Sequence, residues 1–521
     1  MKTNISRVLT IILALAFVLT AFAGCRELVD PPPPDEDMYF EIDNIGDTSG
    51  WTLRERPNLS GNLSISFVNL GFGRSWMDEM VSRFEEAYPN VNISLQAITS
   101  LPDATLRGQL EGNNPADIYI FHRMPWESLS RQGLIANLND LYASAVYYDA
   151  NNYGNPVTFE DRISRASLRS SRVFDFATRE RNYFKVPFVT GVGGLAFNYT
   201  MFYENGWDVP ETVEELFELA ETIVAAQVPA PGGGTVRPFV WSESQYLWDS
   251  VVFDWWAQLA GITMDTSPTS IMNFNRLLGP EQFDPELWPE LKTAFSAWHD
   301  LIAVPGSRFS MPMSTGQRDL DAQMAFVQGH AAMIPAASWL VTELRGNEEH
   351  GDLLEQYNID VRMMPTPIIE GARTDEYGDP IRVNALLEYN QSIIVAQNAN
   401  NKANAFEFLR FMTERDNSMI FPEHVNGALF AHRYDFDALI ENAETGWERS
   451  MYEIMSTSMR FSTWSDNPIY TLTPAGPWPD NHGYALAFNS PTAVTPESFF
   501  RQRHERAVSQ WPFWLRQSGL R

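Results

Sequence analysis

Two alternating apolar runs end in residues suited to holding a polar solute. Leu63-Ser64-Ile65-Ser66-Phe67-Val68 leads to Asn69, with Gly71 and Gly73 just beyond. The run from Ala116 leads to Phe121-His122-Arg123, with Trp126 three residues on. Loops at the carboxyl ends of strands are where α/β folds place their ligands. The Arg123 guanidinium offers a fork of donors to hydroxyls, and glycine lets a ligand approach the backbone. Each feature also has a plain structural reading, a surface ion pair for Arg123 and a tight turn for the glycines. Trp241 and Gln245 stand in an aromatic stretch ahead of Asp254-Trp255-Trp256, and of these Trp255 is expected to face a core. Asn390, beside Gln391, precedes the apolar triplet Ile393-Ile394-Val395, and Trp464 lies beside Asp466 and Asn467. Catalytic signatures are missing: there is no His-Glu-x-x-His, Gly-x-Ser-x-Gly or P-loop pattern. Eight histidines are scattered without ligand spacing, so neither metal nor cofactor is expected. Paired carboxylates for glycoside hydrolysis remain open among 66 acidic residues, because separation in space cannot be read from sequence.

The elements that must position these residues alternate between strand and helix. Met77, Met80, Val81, Phe84 and Tyr88 share one helical face, with Ser75 as candidate cap and Pro89 as stop. Val91 to Ile98 reads as a strand, and Thr212 with Glu215 forms a capping box opening a helix from Val213 to Ala226. Further helices are expected over 247–259, 290–301, 319–327 and 403–413. This order implies parallel sheets flanked by helices and joined by right-handed crossovers. At 521 residues one core is not enough, so two or more lobes are expected. The formal charge of -29 argues against nucleic acid as a partner.

Lys2 and Arg7 precede an apolar run that ends at Phe22-Ala23-Gly24-Cys25, the pattern of an export signal over 1–24. Cys25 is the only cysteine, and its setting resembles a bacterial lipoprotein signal, although Phe22 stands where that signal usually has leucine. The resemblance implies lipidation at Cys25, hence a membrane anchor on the extracellular face (the periplasmic side in a diderm). Residues 25–60 then form a tether. Eight acidic residues without a basic one from Glu27 to Gly50, around Pro31 to Pro34, keep it extended.

Several blocks, in order, carry a wider resemblance. They are Phe84-Glu85-Glu86-Ala87-Tyr88-Pro89-Asn90-Val91, Gly112 to Ile118, Gln132 to Leu138, Val186-Pro187-Phe188 with Gly194 to Asn198, Pro210 to Leu216, Phe326 to Met333 with Ser338-Trp339, and Asn404 to Thr413. Together they resemble the extracellular solute-binding proteins of ABC sugar importers, the maltose-binding-protein-like family. The resemblance implies an α/β fold of two lobes, each a sheet flanked by helices, with a ligand cleft between them that closes by hinge bending. It places one lobe at 61–188 plus 331–400 and the other at 189–330 plus 401–521. It puts Thr190 and Gly191 at the crossover and implies that Trp339 stacks on a sugar ring. Expected partners are an oligosaccharide, the ABC permease subunits and, through Cys25, the membrane. The chain is expected to act as a monomer and not as an enzyme. Two alternatives stand beside this reading: a surface lipoprotein that degrades polysaccharide, and a sensing receptor for a non-sugar solute.

Overall fold

The computed structural model describes residues 44–462 apart from 47, 70, 122–123, 170, 176–179, 241–244, 261–288, 304–307, 312–318, 347–352, 376 and 387–391, with 501, 505, 508 and 509 beyond. Two sheets organise it. The first has five strands in the order β3 (Val91–Ile98), β2 (Gly61–Val68), β4 (Ile118–Phe121), β16 (Ser392–Val395) and β9 (Val186–Pro187). Its strands β3, β2 and β4 are parallel, while β16 runs antiparallel to both its neighbours. Helix Ser75–Ala87 buries Trp76, Met77, Met80 and Phe84, the face its spacing predicts. Ser75 is the first helical residue and Arg74 holds the cap position, so the expected serine cap is not formed.

The second sheet has the order β12 (Arg237–Phe239), β13 (Ala331–Ala337), β11 (Gly193–Asn198) and β14 (Val361–Met364). Helices Val213–Ala226, Gln245–Ala260 and Pro289–Trp298 cover one face, and Asp319–Val327, Phe436–Glu441 and Gly446–Thr457 cover the other. The Thr212 capping box forms as its residues predict, with Thr212 and Glu215 each accepting from the other's backbone.

The chain divides between the lobes differently from the expected ranges. Ala331–Ala337 is buried along its whole length, and pairs with β11 and β12 in the second sheet rather than with the first lobe. β16 lies in the first lobe as expected, but helix Lys402–Met412 stays there with it rather than joining the second lobe, its Ala405, Phe408 and Phe411 entering the first core. Among the described residues the chain passes between the two sheets at three places. The first passage is β9 through β10 (Val189–Thr190) to β11, and the second lies between β14 and β16. The third leaves β17 (Leu429–Phe430) for helix Phe436–Glu441. Within the first and third, β10 and β17 pair antiparallel, Val189 with Phe430 and Thr190 with Leu429.

A strap over Asn44–Arg56 binds the first lobe. Its strand β1 (Trp51–Leu53) joins a small sheet with β5 (Ala145–Asp149) and β6 (Asn155–Thr158). The Asn44 carbonyl accepts from Arg433, and the Ile45 amide donates to the Tyr434 carbonyl at 2.9 Å, so the strap also touches the third crossover. Beneath it the Glu407 side chain, 1% exposed, accepts from Arg410 at 2.8 Å, from Arg54 and from the Tyr88 hydroxyl. Burial opposes its ionisation, but the Tyr88 hydroxyl and the two guanidinium groups outweigh that and hold the carboxyl below its ordinary range. A buried charge that keeps its partners is tolerated, whereas one stripped of them costs about 3–5 kcal/mol. The double variant Arg54→Ala/Arg410→Ala should therefore lose about 3–5 kcal/mol in urea unfolding. Either single variant should lose clearly less, because one cation remains.

Candidate functional site

The loop after β2, the approach to β11 and the segment after β13 come together between the lobes, Gly71 beside Glu343 and Gly191 against Ser338. The loop after β2 brings in Asn69, partly exposed, whose backbone N–H donates to the Ile98 carbonyl at 3.2 Å. Gly71 follows at φ +78°, a conformation that disfavours any side chain. Phe72 turns inward, its ring 6.3 Å from Phe188 and 5.3 Å from Phe421. Those rings sit with Trp76 and Phe430 in one aromatic cluster beneath the crossover ribbon.

From the second lobe, β13 is followed by the turn Ser338-Trp339, which leads into helix Leu340–Gly346. Trp339 is partly exposed, yet it packs against the hydrophobic core of the first lobe. One turn later the Glu343 amide donates to the Trp339 carbonyl at 3.0 Å, so both side chains share a helix face. A Cβ on Gly71 would lie 4.0 Å from Glu343 Oε1, which places this carboxyl against the first-lobe loop. The other oxygen accepts from Gln323 Nε2 at 2.7 Å. Burial pushes the carboxyl up to about 7, with Asp319 adding to the rise and Gln323 opposing it. The same helix reaches the first lobe twice more. Thr342 Oγ1 donates to the Val425 carbonyl at 2.9 Å, and Arg345 donates to Asn426 Oδ1 at 2.7 Å.

The other expected residues fall into three groups. Gly191 is fixed by close approach, because a Cβ there would stand 2.3 Å from Ser338 Oγ and 3.0 Å from its Cβ. Thr190 is buried on β10 opposite Leu429. Phe121 and Trp126 differ from their expected role. Both rings are buried in a satellite core of the first lobe, Phe121 5.8 Å from Tyr119 and Trp126 beneath the Lys185 ammonium at 5.0 Å. Aromatic residues there complete the packing behind the strands rather than present a free face. Gln245 is the first residue of helix Gln245–Ala260. Cys25, Arg123, Trp241, Asn390 and Trp464 lie outside the described residues. Glu343 was not among the candidates, although its place four residues after Trp339 is a signal that helical spacing supplies. Among the described residues, no group of three or more His, Cys, Asp and Glu side chains gathers as a metal site.

The model of the bacterial extracellular solute-binding protein family matches residues 73–419. This chain belongs to that family. Solved structures agree on the two-lobed fold. The GacH receptor of Streptomyces glaucescens, studied unliganded and with acarbose, aligns at a TM-score of 0.57 and 14% identity, over 88% of this chain and 99% of that one. RafE from Streptococcus pneumoniae aligns at 0.59 and 16% identity, over 87% and 99%. A probable secreted solute-binding lipoprotein from Streptomyces coelicolor aligns at 0.61 and 15% identity, over 85% and 98%. No curated protein matches the chain.

Two predictions follow from the geometry of this solute-binding protein. Gly191→Ala should lower the melting temperature through the clash with Ser338, and the double variant Gly191→Ala/Ser338→Gly should recover most of the loss. The second concerns pH. Glu343 binds its proton more tightly folded than unfolded, so its contribution to stability declines as pH rises from about 4.5 to about 7. Glu343→Gln removes that decline. Its melting temperature should exceed that of the parent near pH ~8, and the gain should vanish near pH ~5.

Proposed function

We propose that the protein is the extracellular solute-binding component of an ABC importer, and that it captures an oligosaccharide between its lobes. The observation that carries this reading is Trp339. It is an aromatic face held on the second lobe but seated against the first, beside a carboxyl and a glycine loop. A flat apolar ring suits the C–H face of a sugar, and polar groups around it suit the hydroxyls. The structural neighbours support the choice of ligand class. One is described in complex with acarbose, another as RafE in complex with raffinose, and another as a chitin oligosaccharide binding protein. Asn69 and Trp339 contact the solute in this reading, with Arg123, Trp241, Gln245, Asn390 and Trp464 completing the cleft. Closure turns on the ribbon at Thr190 and Gly191. Cys25 carries the lipid that anchors the body to the outer face of the membrane.

Thermal melts of residues 26–521 against an oligosaccharide panel test the reading. A ligand at about 100 times its dissociation constant adds about 2.7 kcal/mol, a clear rise in melting temperature. The sugar should be recovered unchanged, as a binder and not a hydrolase requires. Trp339→Ala should weaken the same ligand by at least about tenfold, in line with the loss of a stacked aromatic contact. A panel that leaves the melt unmoved would overturn the sugar assignment.

A further inference from the structure

We propose that the strap over Asn44–Arg56 braces the hinge. It ties the third crossover to the first lobe a second time, and so narrows the range of angles that the two lobes adopt. The inference concerns the motion of the body rather than the solute, and it rests on the short ribbon of β10 and β17 acting as the hinge.

The third crossover leaves that ribbon at Ala431 and is bridged to two neighbours before the next helix begins. The first is the end of helix Phe159–Arg162. There the Arg433 backbone N–H donates to the Arg162 carbonyl at 2.8 Å, that of Ser164 donates to the Ala431 carbonyl at 2.9 Å, and Ile163 bridges His432. The second is the strap. Asn44 bridges Tyr434, the Ile45 backbone N–H donates to the Tyr434 carbonyl at 2.9 Å, and the Arg433 guanidinium donates to the Asn44 carbonyl at 3.1 Å. Asp435 then caps helix Phe436–Glu441, accepting from the Ala438 backbone N–H at 3.1 Å. With the strap in place, little of this passage is free to bend. Without it, the Tyr434 carbonyl loses that donor, and the backbone between Arg433 and Asp435 is free to flex.

A brace must be fixed more firmly at one end than at the other, and this strap is. Tyr434 packs in the core of the second lobe with Val361 and Trp447. Trp51, further along the strap, packs against the core of the first, its ring 5.6 Å from Tyr147 and 5.6 Å from the buried Arg162 guanidinium. That guanidinium donates to the Thr413 carbonyl at 3.0 Å. Arg54 then pairs with Glu407, and Arg56 with Glu414 at 2.6 Å. Strap and third crossover both lie outside residues 73–419, the span that the family model matches.

Residues 26–521 contain no cysteine, so spin labels can be placed by Tyr153→Cys in the first lobe and Tyr203→Cys in the second, both exposed positions. Pulsed electron resonance then reads the lobe separation, and hydrogen exchange reads the crossover, both without sugar. Ile45→Pro removes the donor to Tyr434, while Ile45→Ala keeps it and serves as control. Ile45→Pro should broaden the distance distribution and speed exchange at Arg433 by roughly threefold to tenfold, as loss of one main-chain hydrogen bond supports. Arg433→Met, which releases the Asn44 carbonyl but keeps every main-chain donor, should broaden the distribution as well, and it decides the matter if Ile45→Pro fails to fold. Faster exchange confined to the strap, with crossover and lobe separation as in the parent, would overturn the brace. Adding the sugar found in the thermal panel reports separately on capture. A parent distance that this sugar leaves unmoved counts against closure on the ligand, while the sugar-free comparison still decides the brace.

Discussion

The four residues that join the first and third crossovers carry the architecture. Val189 and Thr190 pair with Leu429 and Phe430, so two of the three passages between lobes form one short ribbon. A ribbon of two residues per strand can twist without losing a long ladder, which is what a hinge needs. Its two ends are fixed differently. On the first-lobe side, Phe188 and Phe430 lock into rings from Phe72, Trp76 and Phe421, with centroid separations of 4.5–6.3 Å. On the second-lobe side, Gly191 admits the Ser338 hydroxyl at the distance of a missing methyl. Bulk anchors one end, and the absence of bulk anchors the other.

Carboxylates show how environment decides role. Glu407 and Glu343 are the same residue type, the first fully buried and the second partly so. Glu407 is surrounded by cations and a phenol, stays ionised and ties the strap to the lobe. Glu343 is raised by its burial and by the neighbouring Asp319, and its single amide partner, Gln323, offsets that only in part. A third acid, Asp254, is buried within the second lobe and accepts from Thr366 Oγ1 at 2.6 Å and Asn384 Nδ2 at 3.3 Å. It ties helix Gln245–Ala260 to the start of the second crossover, and so supports the seam from behind.

Local pattern made most of these elements legible, and non-local pairing hid the rest. Periodicity located the helices at 213–226 and 319–327 and the strand at 91–98, because each buries one face or alternates. The run Ala331–Ala337 is apolar on both faces, and such a run fits the centre of either sheet. Its partner is chosen by β11 and β12, far away in sequence. Aromatic residues were ambiguous for a similar reason. Phe121 ends a strand, Trp126 and Trp339 come shortly after one, and only packing separates the two that fill a core from the one that bridges the lobes. Glu343 was one acid among 66 until the fold set it against Gly71.

The strap has a mechanical consequence. Asn44, the first of the described residues, bridges to Tyr434 on the third crossover. A point beside a rotation axis travels little while the distant rims swing through the full arc. In the proposed hinge closure Asn44 therefore sits beside the pivot rather than on either moving edge. In that reading, opening and shutting the jaws displaces Asn44 little, much as a gate swings freely when its chain is fastened to the post.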